Sequence, residues 1–209
     1  MEEEGTRPLP RAEGWLEDVK TRPFITTFGG KRVNPIDIED RHINIEDIAH
    51  ALACTNRFVG HCPYPISVAQ HSCYVSLVAA GGLSDMEVYK RVGLQGLLHD
   101  ASEAYLGDVS KWVKGIPEMR GYRLIEEQVQ RRIFRHFGLP GDLFPEVEQA
   151  DRLMVRFEHE AAFGHPISNE PDAYGPLSDR ERFCVGAWRP VTWDVAERSF
   201  LDLFKTLTR

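Results

Sequence analysis

Four residues, His71, His99, Asp100 and Asp151, interrupt apolar runs. Residues 97–103 read Leu-Leu-His-Asp-Ala-Ser-Glu, so His99, Asp100 and Glu103 are set into an otherwise apolar stretch. His71 ends Val68-Ala69-Gln70-His71, and Asp151 follows Ala150 in Val147-Glu148-Gln149-Ala150-Asp151. Burying polar or charged groups costs free energy unless they find partners. Two imidazoles and two carboxylates on separate helices form a donor set for a divalent metal. Mn²⁺, Co²⁺, Fe²⁺ and Zn²⁺ all accept such ligands, so the ion stays open. Glu103 lies about one turn beyond His99 and Asp100 and shares their helical face. Gly107-Asp108 adds a further carboxylate. Singly, each residue has an ordinary explanation. A helical His is most often a hydrogen-bonded core or surface residue, and Asp151 has Arg152 and Arg156 as salt-bridge partners on its own helix. Together they point to a site.

Such a set meets the needs of phosphate-ester hydrolysis. A divalent ion generates hydroxide near neutral pH and offsets charge at phosphorus. Cations hold the non-bridging oxygens, a task within reach of Arg57 and Lys114. A carboxylate takes the proton of the attacking water and returns it to the leaving group.

His71, then His99-Asp100, then Asp151 on successive helices resembles the H…HD…D signature of the HD-domain metal-dependent phosphohydrolases. The longer string HDASEAYLGD, with Lys114 beyond it, is similar to the compact single-domain nucleotidases of that superfamily. The upstream Val68-Ala69-Gln70-His71-Ser72 and the small Ala150 before Asp151 strengthen the likeness, which covers about residues 24–160 and, more loosely, the last helix. The resemblance implies that His71, His99, Asp100 and Asp151 hold the metal and that Glu103 is the acid/base group. It places Asp108 beside Glu103, where it positions water, a second metal or the sugar. In Asn56-Arg57-Phe58, Arg57 would hold phosphate and Phe58 would pack on the nucleoside, although the relatives carry Trp at that position. Lys111 and Lys114 lie where a phosphate-facing lysine is expected, and Lys114 matches better. The implied substrate is a deoxynucleotide. The hairpin, Asn34-Pro35 and residues 57–61 favour release of triphosphate from a dNTP such as dATP, with 5'-nucleotidase action on dNMPs as the alternative. A nucleotide-sensing module without catalysis is the alternative of another class, and the complete ligand set with Glu103 stands against it. The relatives also imply a homo-oligomer.

These residues need elements to position them. Phe24–Phe28 and Lys31–Val33 around Gly29-Gly30 predict a small β-hairpin, ended by Asn34-Pro35. Apolar residues then recur with helical spacing. Asn44 would cap a helix through Leu52, and Ser67 one that ends at Gly81-Gly82. Ser84 would cap a third helix that carries the His99-Asp100 pair without interruption to Leu106. Further helices are expected over about 121–137, 145–163 and 193–207. Residues 1–20 read as a flexible lead-in, 164–190 as a loop, and 21–209 as one HD-type domain. The predicted class is an all-α bundle with a minor hairpin. Cys54, Cys62, Cys73 and Cys184 lack metal-site spacing, and buried free thiols are expected. Trp112 is expected to serve packing.

The 209-residue length fits one domain, and 42% hydrophobic with 27% charged residues is ordinary for a globular protein. The formal charge of −7 argues against polynucleotide binding, which needs a basic surface. Nothing approaches the ~20 apolar residues of a membrane span. The acidic start MEEEGTRPLPRAEG has no apolar signal region, so a cytoplasmic location is expected.

Overall fold

The structure is a computed structural model that describes residues 25–164, 185–186 and 188–209. Most of it is helix. The lead-in 1–20, most of the expected loop 164–190, Cys184 and His165 lie outside the described residues. Strands β1 (Ile25–Thr26) and β2 (Arg32–Val33) pair antiparallel, with Ile25 opposite Val33. Gly30 takes the left-handed φ of 80° that the tight connection requires. Helices follow in the order α1 (Ile45–Cys54), α2 (Val68–Ala80), α3 (Met86–Leu98), α4 (Glu103–Leu106), α5 (Lys111–Lys114), α6 (Arg120–His136), α7 (Pro145–Phe163) and α8 (Trp193–Thr208). The all-α class with its hairpin matches the sequence reading.

Local chemistry accounts for the helix starts. Asn44 accepts from the Asp47 backbone N–H, and Ser67 accepts from that of Gln70. The cap of α3 is Asp85, whose carboxylate accepts from Glu87 and Val88, and not the expected Ser84. An aspartate here also opposes the positive helix end, which serine does not. Pro145 begins α7 at a position where a missing N–H is of no consequence.

The expected continuous third helix is in fact two. α3 ends at Leu98, and α4 restarts at Glu103. Between them the backbone tightens: Ala101 N–H bonds to Leu98 O at 3.0 Å, and Glu103 N–H to Asp100 O at 3.0 Å. These are three-residue spacings, the tighter helical pattern used in short pieces.

The core forms around α1, α2, α3, α6 and α8. Ile48, Leu52, Leu97, Leu98, Ile133, Phe134 and Phe200 are all fully buried there. At ~1.5–3 kcal/mol per large apolar side chain, this cluster supplies the dominant favourable term. A second cluster joins α2, α3 and α7 through Val75, Val92, Val147, Ala150 and Met154. α2 and α3 approach closely at Gly96, where an added Cβ would stand 2.9 Å from Ser76 Cα. Gln70 on α2 ties down the lead-in to α8: its amide donates to Arg189 O at 2.7 Å and accepts from Val191 N–H at 3.2 Å.

Two expectations about packing fail. Of the described cysteines only Cys73 is buried; Cys62 is half-buried and Cys54 exposed. Cys54 is the last residue of α1 and turns outward beside His50, 3.9 Å from its Nε2. Trp112 is 72% exposed, because four-residue α5 is too short to offer it an inner face.

Candidate metal centre and its carboxylates

His71 comes from the first half of α2, His99 and Asp100 from the break after α3, and Asp151 from α7. Each imidazole is oriented by its Nδ1. His99 Nδ1–H donates to Gly96 O at 2.8 Å, and His71 Nδ1–H donates to Glu158 Oε2 at 3.1 Å. With Nδ1 committed, Nε2 is the atom left to act. His71 Nε2 lies 3.1 Å from Asp151 Oδ1 and 3.9 Å from Asp100 Oδ2. His99 Nε2 lies 3.1 Å from Asp100 Oδ2 and 3.7 Å from Asp151 Oδ1. Donor atoms of His71, His99 and Asp100 all fall within 4.8 Å of one another. His99 Nε2 is buried and, despite its short distances, makes no hydrogen bond of proper geometry. A nitrogen so placed, facing carboxylate oxygens, fits a divalent cation. His71, His99 and Asp100 can hold one, and Asp151, although 3.1 Å from His71 Nε2, falls outside that three-residue group.

Without an ion, the charges perturb one another. Burial acts to lower His99, but Asp100 and Asp151 raise it well above the ordinary histidine range. Burial and Arg57 act to lower His71, and Glu158 and Asp151 overcome them. Burial acts to raise Asp100, yet the His99 imidazolium holds it down at about 2. Burial acts to raise Asp151, yet its hydrogen bond to His71 and the nearby His99 ring hold it well below its usual range. A dication bound there competes with protons on the two imidazoles, so its binding favours release of protons.

Glu103 opens α4 beside this cluster and is 6% exposed. Burial first, then the Asp100 and Asp108 carboxylates, push it up to about 9. Its Oε1 lies 3.8 Å from Lys114 Nζ, and its Oε2 is buried with no hydrogen-bond partner. Asp108 is half-buried and also raised, by burial and Asp100, while Arg57, Lys114 and His71 oppose the shift. In the metal-free protein Glu103 is thereby able to carry a proton at neutral pH.

Arg57 is held from two sides. Its Nε lies 3.0 Å from Glu158 Oε2 and its Nη1 3.7 Å from Asp100 Oδ2. Its backbone N–H donates to Ile66 O at 2.8 Å, just before the short helical turn Phe58–Gly60. Phe58 and Val59 in that turn both have φ of 54°, a costly conformation, above all for β-branched Val59. Phe58 meets Phe163 and His159 of α7 edge-on at 5.9 and 6.1 Å, and the Arg57 guanidinium sits 5.6 Å from its ring centre.

Of the expected residues, the structure gathers His71, His99, Asp100, Asp151, Glu103, Asp108, Arg57 and Lys114, and sets Phe58 next to Arg57. Lys111 is left out: it is exposed at the start of α5, a turn away from Lys114. Lys114 Nζ donates to Glu126 Oε1 at 2.9 Å. Other residues at the site carry no signal in the sequence. Glu126 holds Lys114, and the Tyr122 hydroxyl donates to Gly107 O at 3.2 Å. Glu158 reads from sequence only as a neighbour of the site or a salt-bridge partner. It is fully buried and holds both His71 and Arg57. Its signal is its place two turns after Asp151, on the same face of α7.

No protein-family model matches the chain. Among curated proteins, it is 33% identical over 135 residues to the uncharacterized protein YfdR of Escherichia coli (strain K12), covering 65% of this chain and 70% of that protein. It is 34% identical over 160 residues to the uncharacterized protein RCAP_rcc00048 of Rhodobacter capsulatus, covering 74% of this chain and 80% of that protein.

Proposed function

This chain belongs to one family with YfdR and RCAP_rcc00048, and from that premise and the geometry above we propose that it is a metal-dependent phosphohydrolase of deoxynucleotides of the HD type. One observation carries the reading. Two imidazoles commit Nδ1 to fixed acceptors and turn Nε2 toward the same pair of aspartates. A bound divalent ion supplies Lewis acidity at phosphorus and a nucleophile at neutral pH.

The protein's own groups do the rest. Arg57 and Lys114 bind non-bridging oxygens by charge-assisted hydrogen bonds, Arg57 in bidentate form. Both are pre-set by carboxylates, Arg57 by Glu158 and Lys114 by Glu126, so little rotamer freedom is lost when substrate arrives. Glu103, buried beside the cluster, is placed to take the proton of the attacking water and return it to the leaving oxygen. Asp108 orients water or a sugar hydroxyl beside it, and Phe58 offers an aromatic face to the nucleoside.

The leading substrate is a deoxynucleoside triphosphate, cleaved at the α-phosphorus to deoxynucleoside and triphosphate. One observation favours the second reading, a 5'-monophosphate. Among the described residues Arg57 and Lys114 are the cations at the site, and Lys111 does not join them. The reading also carries a cytoplasmic, self-associating enzyme, and sedimentation of the purified chain tests the self-association. No described helix is long and apolar enough to cross a membrane.

The deciding experiment strips the protein of metal, restores Mn²⁺ or Co²⁺, and supplies dNMPs, dNTPs and the matching ribonucleotides. Nucleoside plus triphosphate from a dNTP supports the leading reading. Nucleoside plus phosphate from dNMPs alone moves it to a 5'-nucleotidase. Metal bound with no turnover on any of them sinks the enzyme reading in favour of a nucleotide sensor.

A further inference from the structure

We propose that Gln130 is a positioning residue that splints the helix break carrying His99 and Asp100 and so sets the metal-ligand pair. In an unbroken α-helix the Ser102 N–H would donate to Leu98 O. Here α3 stops at Leu98, and the side-chain amide of Gln130, from α6, occupies the gap. Its Nε2 donates to Leu98 O at 2.7 Å, and its Oε1 accepts from Ser102 N–H at 2.9 Å. A primary amide carries both the donor and the acceptor of the missing bond. Glutamate lacks the donor and lysine the acceptor. Leu98 is fully buried and Ser102 is 3% exposed, so both backbone groups lie where a lost partner is costly.

The opened break has a geometric purpose. On a continuous helix adjacent side chains diverge by about 100°. In the break, His99 Nε2 lies 3.1 Å from Asp100 Oδ2, and both reach the cluster with His71 and Asp151. Gln130 does not touch the ligands; it fixes the backbone on either side of them. Tyr122 and Glu126 lie at four-residue spacings on the same face of α6. They hold Gly107 O at 3.2 Å and Lys114 Nζ at 2.9 Å. One polar stripe on α6 thereby clamps the chain from Leu98 to Lys114, and Gln130 is its point of contact nearest the metal ligands.

The test uses the full chain with Gln130→Met, which keeps length and loses both bonds, and Gln130→Glu, which keeps only the acceptor. Gln95→Met is the control. Gln95 is a fully buried splint where Gln130 is half-buried, binding Asp142 O at 3.0 Å and Phe144 N–H at 2.6 Å, but it ties the α6–α7 connection and not the ligand pair. Amide hydrogen exchange of the metal-free protein is read at Ser102, and Co²⁺ affinity is read by titration of visible absorption. The expected result for Gln130→Met is at least ~10-fold faster exchange at Ser102 and Co²⁺ binding weaker by ~10–100-fold, the usual effect of removing an outer-shell support. Gln130→Glu falls between, and it carries the test if Gln130→Met does not fold. Gln95→Met is expected to lower Tm with Co²⁺ affinity unchanged. Unchanged Co²⁺ affinity in a folded Gln130 variant overturns the proposal, as does an equal loss in Gln95→Met. The cobalt arm rests on the metal reading above. A wild-type chain that binds no Co²⁺ defeats that reading, and Ser102 exchange then decides the role of Gln130 alone.

Discussion

A glutamate with one buried, unpartnered oxygen and two carboxylate neighbours keeps its proton past neutrality, and that makes Glu103 the residue with the sharpest consequences. We expect Glu103→Gln to lower turnover by ~10²–10⁴-fold, the range for a lost acid/base group, while Co²⁺ affinity measured by calorimetry stays unchanged. Stability gives an independent readout. Glu103 is raised from 4.5 to about 9 in the folded protein. The folded state therefore holds a proton that the unfolded state has lost, and stability falls as pH rises from the ordinary glutamate value through about 9. In metal-free protein, Tm of the wild type should fall below that of Glu103→Gln increasingly across that window and then level off. A difference that does not change with pH would contradict the buried, protonated assignment. Glu158→Gln keeps an acceptor for His71 Nδ1 and loses the charge facing Arg57. We expect Co²⁺ affinity to drop by ~10-fold or more, and KM for substrate to rise. In sequence, Glu158 resembles Glu148 and Glu160 on the same helix, which pair with Arg152 and Arg156 where solvent still reaches. Its burial depends on which face α7 turns toward α2, and periodicity gives that face only approximately.

At the scale of elements, the helices were legible because apolar residues recur every three to four positions between Asn44, Ser67 and the glycine pairs. The break at Leu98 was not. Residues 99–102 contain no Gly or Pro, and the group that satisfies the broken backbone, Gln130, stands on another helix. A long-range hydrogen bond leaves no local pattern. The same limit explains Lys111, whose exposure follows from where α5 begins and not from its neighbours in sequence. Helix spacing supports a mutational prediction as well. Gly96 abuts the Ser76 backbone, so a methyl group there must push α2 and α3 apart. Gly96→Ala should cost about 1–3 kcal/mol by denaturant titration. It should also weaken Co²⁺ binding, because α2 carries His71 and α3 leads directly into His99. Gly93→Ala meets the tip of the Leu207 side chain at 2.8 Å. That tip can swing away, so a smaller loss with Co²⁺ binding intact is expected. Equal losses in the two variants would refute the distinction.

On the scale of the whole molecule, the cluster joins α2, the α3–α4 break and α7, so an ion bound there cross-links three parts of the bundle. Ligation to the native state alone stabilises by about 2.7 kcal/mol when the free ion is at about 100 times its Kd. Co²⁺ should therefore raise Tm in proportion to the logarithm of its concentration, EDTA should reverse the rise, and His71→Ala should abolish it. A wild-type Tm indifferent to Co²⁺ and EDTA would count against a resident metal. The cluster also imposes an order on biosynthesis. His71 and its partner Asp151 are 80 residues apart, and Glu158 lies 87 residues beyond His71. At ~5–20 residues per second, a ribosome needs roughly 4–16 s to deliver Asp151 after His71. For that interval the nascent chain exposes imidazole without the helix that completes the centre. The last helix, which buries Phe200 against the core, comes later still. If the centre binds metal, capture comes late in making this protein, and a nascent chain stalled before residue 145 should release Co²⁺ far more readily than the finished one.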